Sequence, residues 1–223
     1  MQGSPSPDSP LPKLLAVAAL MVLPACTIDH ALEASDKNLF LIGRAQLPID
    51  DVEGDDRRTS VEFSGAWFDG DSRVSTPAGA EMHYDVTEIG CAVRYGMRRG
   101  SLGLGVLAGL TTDTISTRTA ASTGAARNDD HQFWVGPTLG VEADWDATPA
   151  LRLYGRVTGG AMLPSSTTLS SEIGLGFKVV DKLEALLGYR HWNLRGDTDT
   201  LLPGFDAVDL SVDGVFLGGA LRF

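Results

Sequence analysis

The stretch "LGLGVLAGL", Leu102–Leu110, sorts into two faces when drawn as an extended chain. Successive side chains of a strand point to opposite sides. Leu102, Leu104, Val106 and Leu110 therefore share one face, and Gly103, Gly105 and Gly109 share the other. A helix would scatter the same residues around its axis and would be weakened by every glycine. The strand reading wins, and it asks what surroundings want bulk on one face only.

The rhythm recurs. Segments of about ten residues that alternate apolar with small or polar are the weak signature of a transmembrane β-barrel strand. Eight are read here, at 58–68, 85–97, 101–111, 132–145, 150–162, 168–179, 182–194 and 208–223. Tight turns are expected near Arg98–Gly100, Asp146–Pro149 and Asp181–Lys182, and longer polar connections at 69–84, 112–131, 163–167 and 195–207. Short turns at one end and long loops at the other are the asymmetry of an outer-membrane barrel. With an even strand number both termini would return to the turn end.

Residue type then assigns the faces. One carries bulk, as in Phe133, Leu139, Val141, Trp145, Ile173, Phe177, Leu187 and Leu217. The other carries glycine together with Glu62, Glu88, Glu142, Asp144, Glu172 and Glu184, and with Arg94, Arg152, Arg156, Lys178, Arg190 and Arg222. A water-soluble barrel would turn the bulky face inward and would gain nothing from glycine outside. Inverted, the apolar face meets lipid. Balanced charges then pair in a narrow interior, where an unpaired charge is costly. The expected fold is an all-β, eight-stranded antiparallel transmembrane up-and-down β-barrel over residues 57–223. Trp67, Phe133 and Tyr189 toward the loops, and Tyr95, Trp145, Phe177 and Phe223 toward the turns, read as interfacial girdles.

The N-terminal part reads differently. "LLAVAALMVL", Leu14–Leu23, has the length of a signal-peptide apolar region and follows Lys13. "LPAC", Leu23–Cys26, resembles the lipobox of bacterial lipoproteins, which implies a lipoprotein-type signal peptide over 1–25 and lipidation of Cys26. A type I signal, or a Cys26–Cys91 disulfide, stays open as an alternative. Residues 26–56 are expected to form an acidic periplasmic linker, since 27–56 carry a balance of −6. "DDVEGDD", Asp50–Asp56, lacks the ligand order of a calcium loop. The chain's net charge of −11 argues against a nucleic-acid partner.

The end of the chain, "VFLGGALRF", has Gly218, Leu221 and Phe223 arranged as in the C-terminal signal read by the outer-membrane assembly machinery. With "GYRHWNL", Gly188–Leu194, it resembles the last hairpin of the small barrels grouped with the OmpA transmembrane domain and the OmpX/Ail type. Phe216 departs from the polar residue that signal prefers. The resemblance implies location in the cell outer membrane among lipid and lipopolysaccharide. A structural or surface-interaction role without enzymatic activity, cofactor or metal is expected, and a wide pore is not, since the polar face is charge-paired and the barrel narrow.

Other chemistry is thinner. His30, His83, His131 and His191 lack partners at metal-ligand spacing. His191 would lie toward the loops on the outer face, where lipid A deacylases of similar design hold a histidine, but Asn193 stands where they carry serine. "RGD", Arg195–Asp197, reads as an ordinary polar loop. The alternatives from other classes are a rim-sited lipid A-modifying enzyme and a periplasmic lipocalin-like lipoprotein that holds an apolar ligand inside.

Overall fold

The computed structural model describes residues 38–50, 56–74, 80–120, 127–163, 165–197 and 207–223. The expected signal peptide, Cys26 and His30 lie outside the described residues. Nine strands close into one barrel: β1 Asn38–Asp50, β2 Arg57–Val74, β3 Ala80–Arg99, β4 Leu102–Ala120, β5 Arg127–Thr148, β6 Leu151–Met162, β7 Ser166–Val180, β8 Leu183–Asp197 and β9 Ala207–Arg222. Neighbours in sequence pair antiparallel throughout, and β1 closes the ring against β9 in parallel.

Two expectations are corrected here. The strand number is nine rather than eight, because β1 forms from the stretch expected to be linker. Its sequence explains why: "NLFLIGRAQL" alternates as the other strands do, and the acids that made the region look like a linker cluster after it, at Asp50–Asp56. The second correction follows from the first. An odd strand number makes β1 run in the same direction as β9, so Asn38 lies beside Gly214 toward the loop end. The chain enters the barrel at the end opposite to the expected one.

The turns follow local chemistry. Gly100 and Ser101 alone separate paired Arg99 from Leu102, and Gly100 takes φ 62°, the left-handed region that two-residue hairpins require. At the next turn Thr148 Oγ1 accepts hydrogen bonds from the amides of Ala150 and Leu151, at 3.3 and 3.0 Å. At the loop end, the connections expected at 69–84 and 112–131 are largely strand. β3 and β4 pair up to Glu81–Ala120, and β4 and β5 pair up to Ala120–Arg127. β1 pairs with β2 only up to Phe68, and the β5–β6 ladder reaches only to Thr138, with one further bridge at Val135–Leu163. The upper parts of β2–β5 therefore stand above the ring as a four-stranded sheet. The RGD triplet is corrected likewise: Arg195–Asp197 end β8 and pair with β9.

The two faces are as the residue types required. Leu139, Ile173, Phe133 and Leu110 point outward with 59–69% of their surface exposed, while Glu62, Arg190 and Asp113 point inward with at most 2%. Cys91 is free and exposed on the outer face.

The interior differs from expectation in its loop-side half. Phe40, Phe68, Tyr84, Val86, Ile115, Trp134, Tyr154, Trp192 and Phe216 turn inward and form a buried apolar cluster. Phe40 and Phe68 rings lie 4.5 Å apart, and Trp192 meets Phe68 edge-on at 5.2 Å. A ninth strand widens the ring, and glycine makes the space for Phe216. A Cβ on Gly174 would stand 2.7 Å from Phe216 Cζ, and one on Gly188 only 2.5 Å from it. Phe216, out of place in an assembly signal, is a core residue.

Candidate functional site

Below the apolar cluster, toward the turns, the interior is a lattice of ion pairs. Arg44 of β1 bonds Glu172, and Arg190 holds both oxygens of Glu88 at 2.7 and 2.8 Å while standing 3.5 Å from Glu172. Arg156 bonds Glu62, whose other oxygen accepts from Gln46 Nε2 at 2.9 Å. Arg94 bonds Glu142, Arg98 bridges Asp144 and Asp146, and Arg152 grips Glu184 with Nε and Nη2 at 3.0 and 2.6 Å. Of the twelve charged residues expected on this face, eleven join the lattice, and Lys178 instead pairs with Asp181 at the rim, 3.2 Å away. The bases Arg44 and Arg98 were missed. Arg44 lay in the supposed linker, and Arg98 in a supposed turn.

One acid is unmatched. Asp113 stands opposite Glu88 in register, fully buried, and neither of its oxygens has a hydrogen-bond partner. It marks the level at which the charged half gives way to the apolar half. Among the described residues no side chain hydrogen-bonds to it.

The space left between side chains is small. Two cavities in the middle of the barrel measure about 20 and 30 Å³, room for a water or two. No group of three or more His, Cys, Asp or Glu side chains among the described residues is arranged to hold a metal.

On the outer face, His191 Nδ1 lies 2.8 Å from Asp213 Oδ1, its partner across the β8–β9 pair. On the other side of His191 the register places Ser171 of β7. Ile173, Tyr189 and Val215 form the next exposed row toward the turns, so the Ser171–His191–Asp213 row caps the apolar belt. No hydrogen bond joins Ser171 to His191, and sheet pairing occupies the neighbouring backbone amides. Sequence reasoning searched for the serine two residues along the same strand, at Asn193. Only the register reveals the serine one strand away.

His131 and His83 sit in the raised sheet. His131 Nδ1 meets Ser116 Oγ at 2.7 Å, and His83 Nε2 lies 3.9 Å from Asp85. The three residues of the expected assembly signal sit at the closing seam. Gly218 faces inward beside Ile42, Leu221 faces outward beside Ala45, and the Phe223 amide donates to Gln46 O at 3.2 Å. Lys182 Nζ stands 5.8 Å from the Phe223 ring centre.

No protein-family model and no curated protein matches this chain. The closed barrel, apolar outside and ion-paired inside, is thus described from its own residues.

Proposed function

We propose that the barrel spans a bacterial outer membrane, with the raised β2–β5 sheet and long connections facing outward, and acts as a structural or surface-interaction protein. The observation that carries this reading is the inverted barrel: large apolar side chains outside, paired charges and a dry aromatic cluster inside. Exposing that many apolar side chains to water would forfeit roughly 25 cal/mol for each Å² left uncovered, whereas lipid covers them. The mid-barrel cavities among the described residues measure only about 20 and 30 Å³, which weighs against a wide pore and against a lipocalin-like binder. The raised sheet has two edges whose upper backbone groups lack a strand partner among the described residues, on β2 past Phe68 and on β5 before Val135. Such edges pair readily with other chains, which suits a surface contact.

The membrane reading predicts that the chain needs detergent for solubility and migrates differently on SDS gels before and after boiling. Identical mobility, with solubility in plain buffer, would refute it. The assembly reading of Gly218, Leu221 and Phe223 predicts that Phe223→Ser lowers the amount inserted in cells more than it lowers stability in detergent. Equal losses would reduce Phe223 to a strand end.

A second reading has its own observation, the Ser171–His191–Asp213 row at the top of the apolar belt. A serine beside a carboxylate-oriented histidine is the arrangement of acyl transfer, and its position suits ester bonds of outer-leaflet lipid. Mass spectra of lipid A from cells with wild-type protein and with Ser171→Ala decide it: a lost acyl chain only in the wild type favours the enzyme, and identical spectra remove it.

A further inference from the structure

Asp113 is the acid that the ion-pair lattice leaves over. It points inward from β4 with none of its surface exposed, and both carboxyl oxygens are buried without a hydrogen bond among the described residues. Register sets Glu88 of β3 directly opposite on one side and Trp134 of β5 on the other. Residues opposite each other on neighbouring strands have Cβ atoms about 4.5–5.5 Å apart. The charge that faces Asp113 across the β3–β4 pair is therefore negative.

The bases around it are matched one to one with other acids. Arg190 reaches across from β8 and gives Nη2 to both oxygens of Glu88. Arg44 of β1 bonds Glu172 of β7, and Arg156 of β6 bonds Glu62 of β2. Glu172 also stands 3.5 Å from Arg190 Nη1. Three acids, Glu88, Glu172 and Asp113, thus fall to two guanidiniums, Arg44 and Arg190. A buried carboxylate without a partner is costly, and a like charge opposite adds to that cost; the uncharged acid forgoes only hydrogen bonds.

We propose that the folded barrel holds a proton on Asp113, and that loss of this proton loosens the layer between the ion-pair lattice and the aromatic cluster. Arg190 keeps one unused donor, its buried Nε. Turning it toward an ionised Asp113 would draw the guanidinium from Glu88 and from the Phe40 ring, whose centre lies 5.6 Å away. The disturbance then enters the cluster that Phe40 shares with Trp134 and Trp192. An unfolded aspartate releases its proton at about pH 4, whereas the folded chain retains it. Relative to Asp113→Asn, the parent is therefore most stable in acid. It loses ground as pH rises, by up to about tenfold in the folding equilibrium per pH unit.

The test is the infrared spectrum of the purified full-length chain in detergent and D₂O at neutral pH. A protonated carboxyl shows a C=O band there, apart from carboxylate and amide absorption. The parent should show this band and Asp113→Asn should lack it. Urea unfolding of both chains, from about pH 5 to about pH 8, should show the parent falling steadily behind the variant. Should Asp113→Asn not fold, Glu88→Gln decides instead: it releases Arg190 to Asp113, which then ionises, and the band disappears although Asp113 remains. No band in the parent, a band that persists in the variant measured, or a stability difference that stays constant with pH would overturn the proposal.

Discussion

Phe216 carries a lesson that its neighbours in sequence conceal. In "VFLGG" it looks like a flaw in an assembly signal, yet it is fully buried against Tyr154, with ring centres 6.3 Å apart. Gly174 and Gly188 make its space on the two preceding strands. Phe216→Ala is expected to cost about 3–5 kcal/mol, as for a large aromatic removed from a core. Gly174→Ala should cost about 1–3 kcal/mol by overpacking, and adding Phe216→Leu should recover part of that loss. Urea unfolding in detergent micelles measures all three. Strictly additive losses in the double variant would show that Gly174 is not there for Phe216. Which glycines only lighten the interior and which receive a particular ring depends on cross-strand register. A single sequence does not state that register.

At the scale of the element, alternation was legible wherever charge did not obscure it. All eight expected strands exist, and their bounds at the turn end hold within a few residues because Gly100, Thr148 and Asp181 carry turn chemistry. β1 was hidden by averaging: the acids of Asp50–Asp56 were pooled with "NLFLIGRAQL", which contains no acid at all. At the loop end the strands run further than expected, since a polar strand raised above the ring lacks the apolar face that makes alternation visible. The inward charges were legible by type, but their partners were not, because pairs such as Arg190 with Glu88 cross the barrel. Arg44 tests whether β1 belongs in the ring. Its loss leaves Glu172 with only the 3.5 Å contact to Arg190. Arg44→Ala should therefore cost about 3–5 kcal/mol, as for one broken partner of a buried pair. Replacing both, Arg44→Met with Glu172→Leu, should cost far less. If Arg44→Ala unfolds at the same urea concentration as the parent, β1 is not a wall of the barrel.

The odd strand number has its largest consequence for the molecule as a whole. A barrel of paired antiparallel hairpins would return both ends to the turn side, where a lipidated Cys26 and an insertion signal at Phe223 would sit together. With β1 parallel to β9, Asn38 instead lies toward the raised sheet, and Phe223 lies at the opposite end. On the proposed membrane reading, Asn38 is therefore expected on the side of the long connections and Ala150 on the opposite side. Cysteine labelling decides it in intact cells. In a Cys91→Ala background, Asn38→Cys should react with a membrane-impermeant maleimide, whereas Ala150→Cys, in the β5–β6 turn, should react only after the outer membrane is opened. The parent Cys91→Ala chain reports any signal from Cys26. Labelling of Ala150→Cys alone would invert the whole barrel. Protection of both positions until the membrane is opened would break the parallel closure, because then β1 would start on the turn side and the ring would close without it.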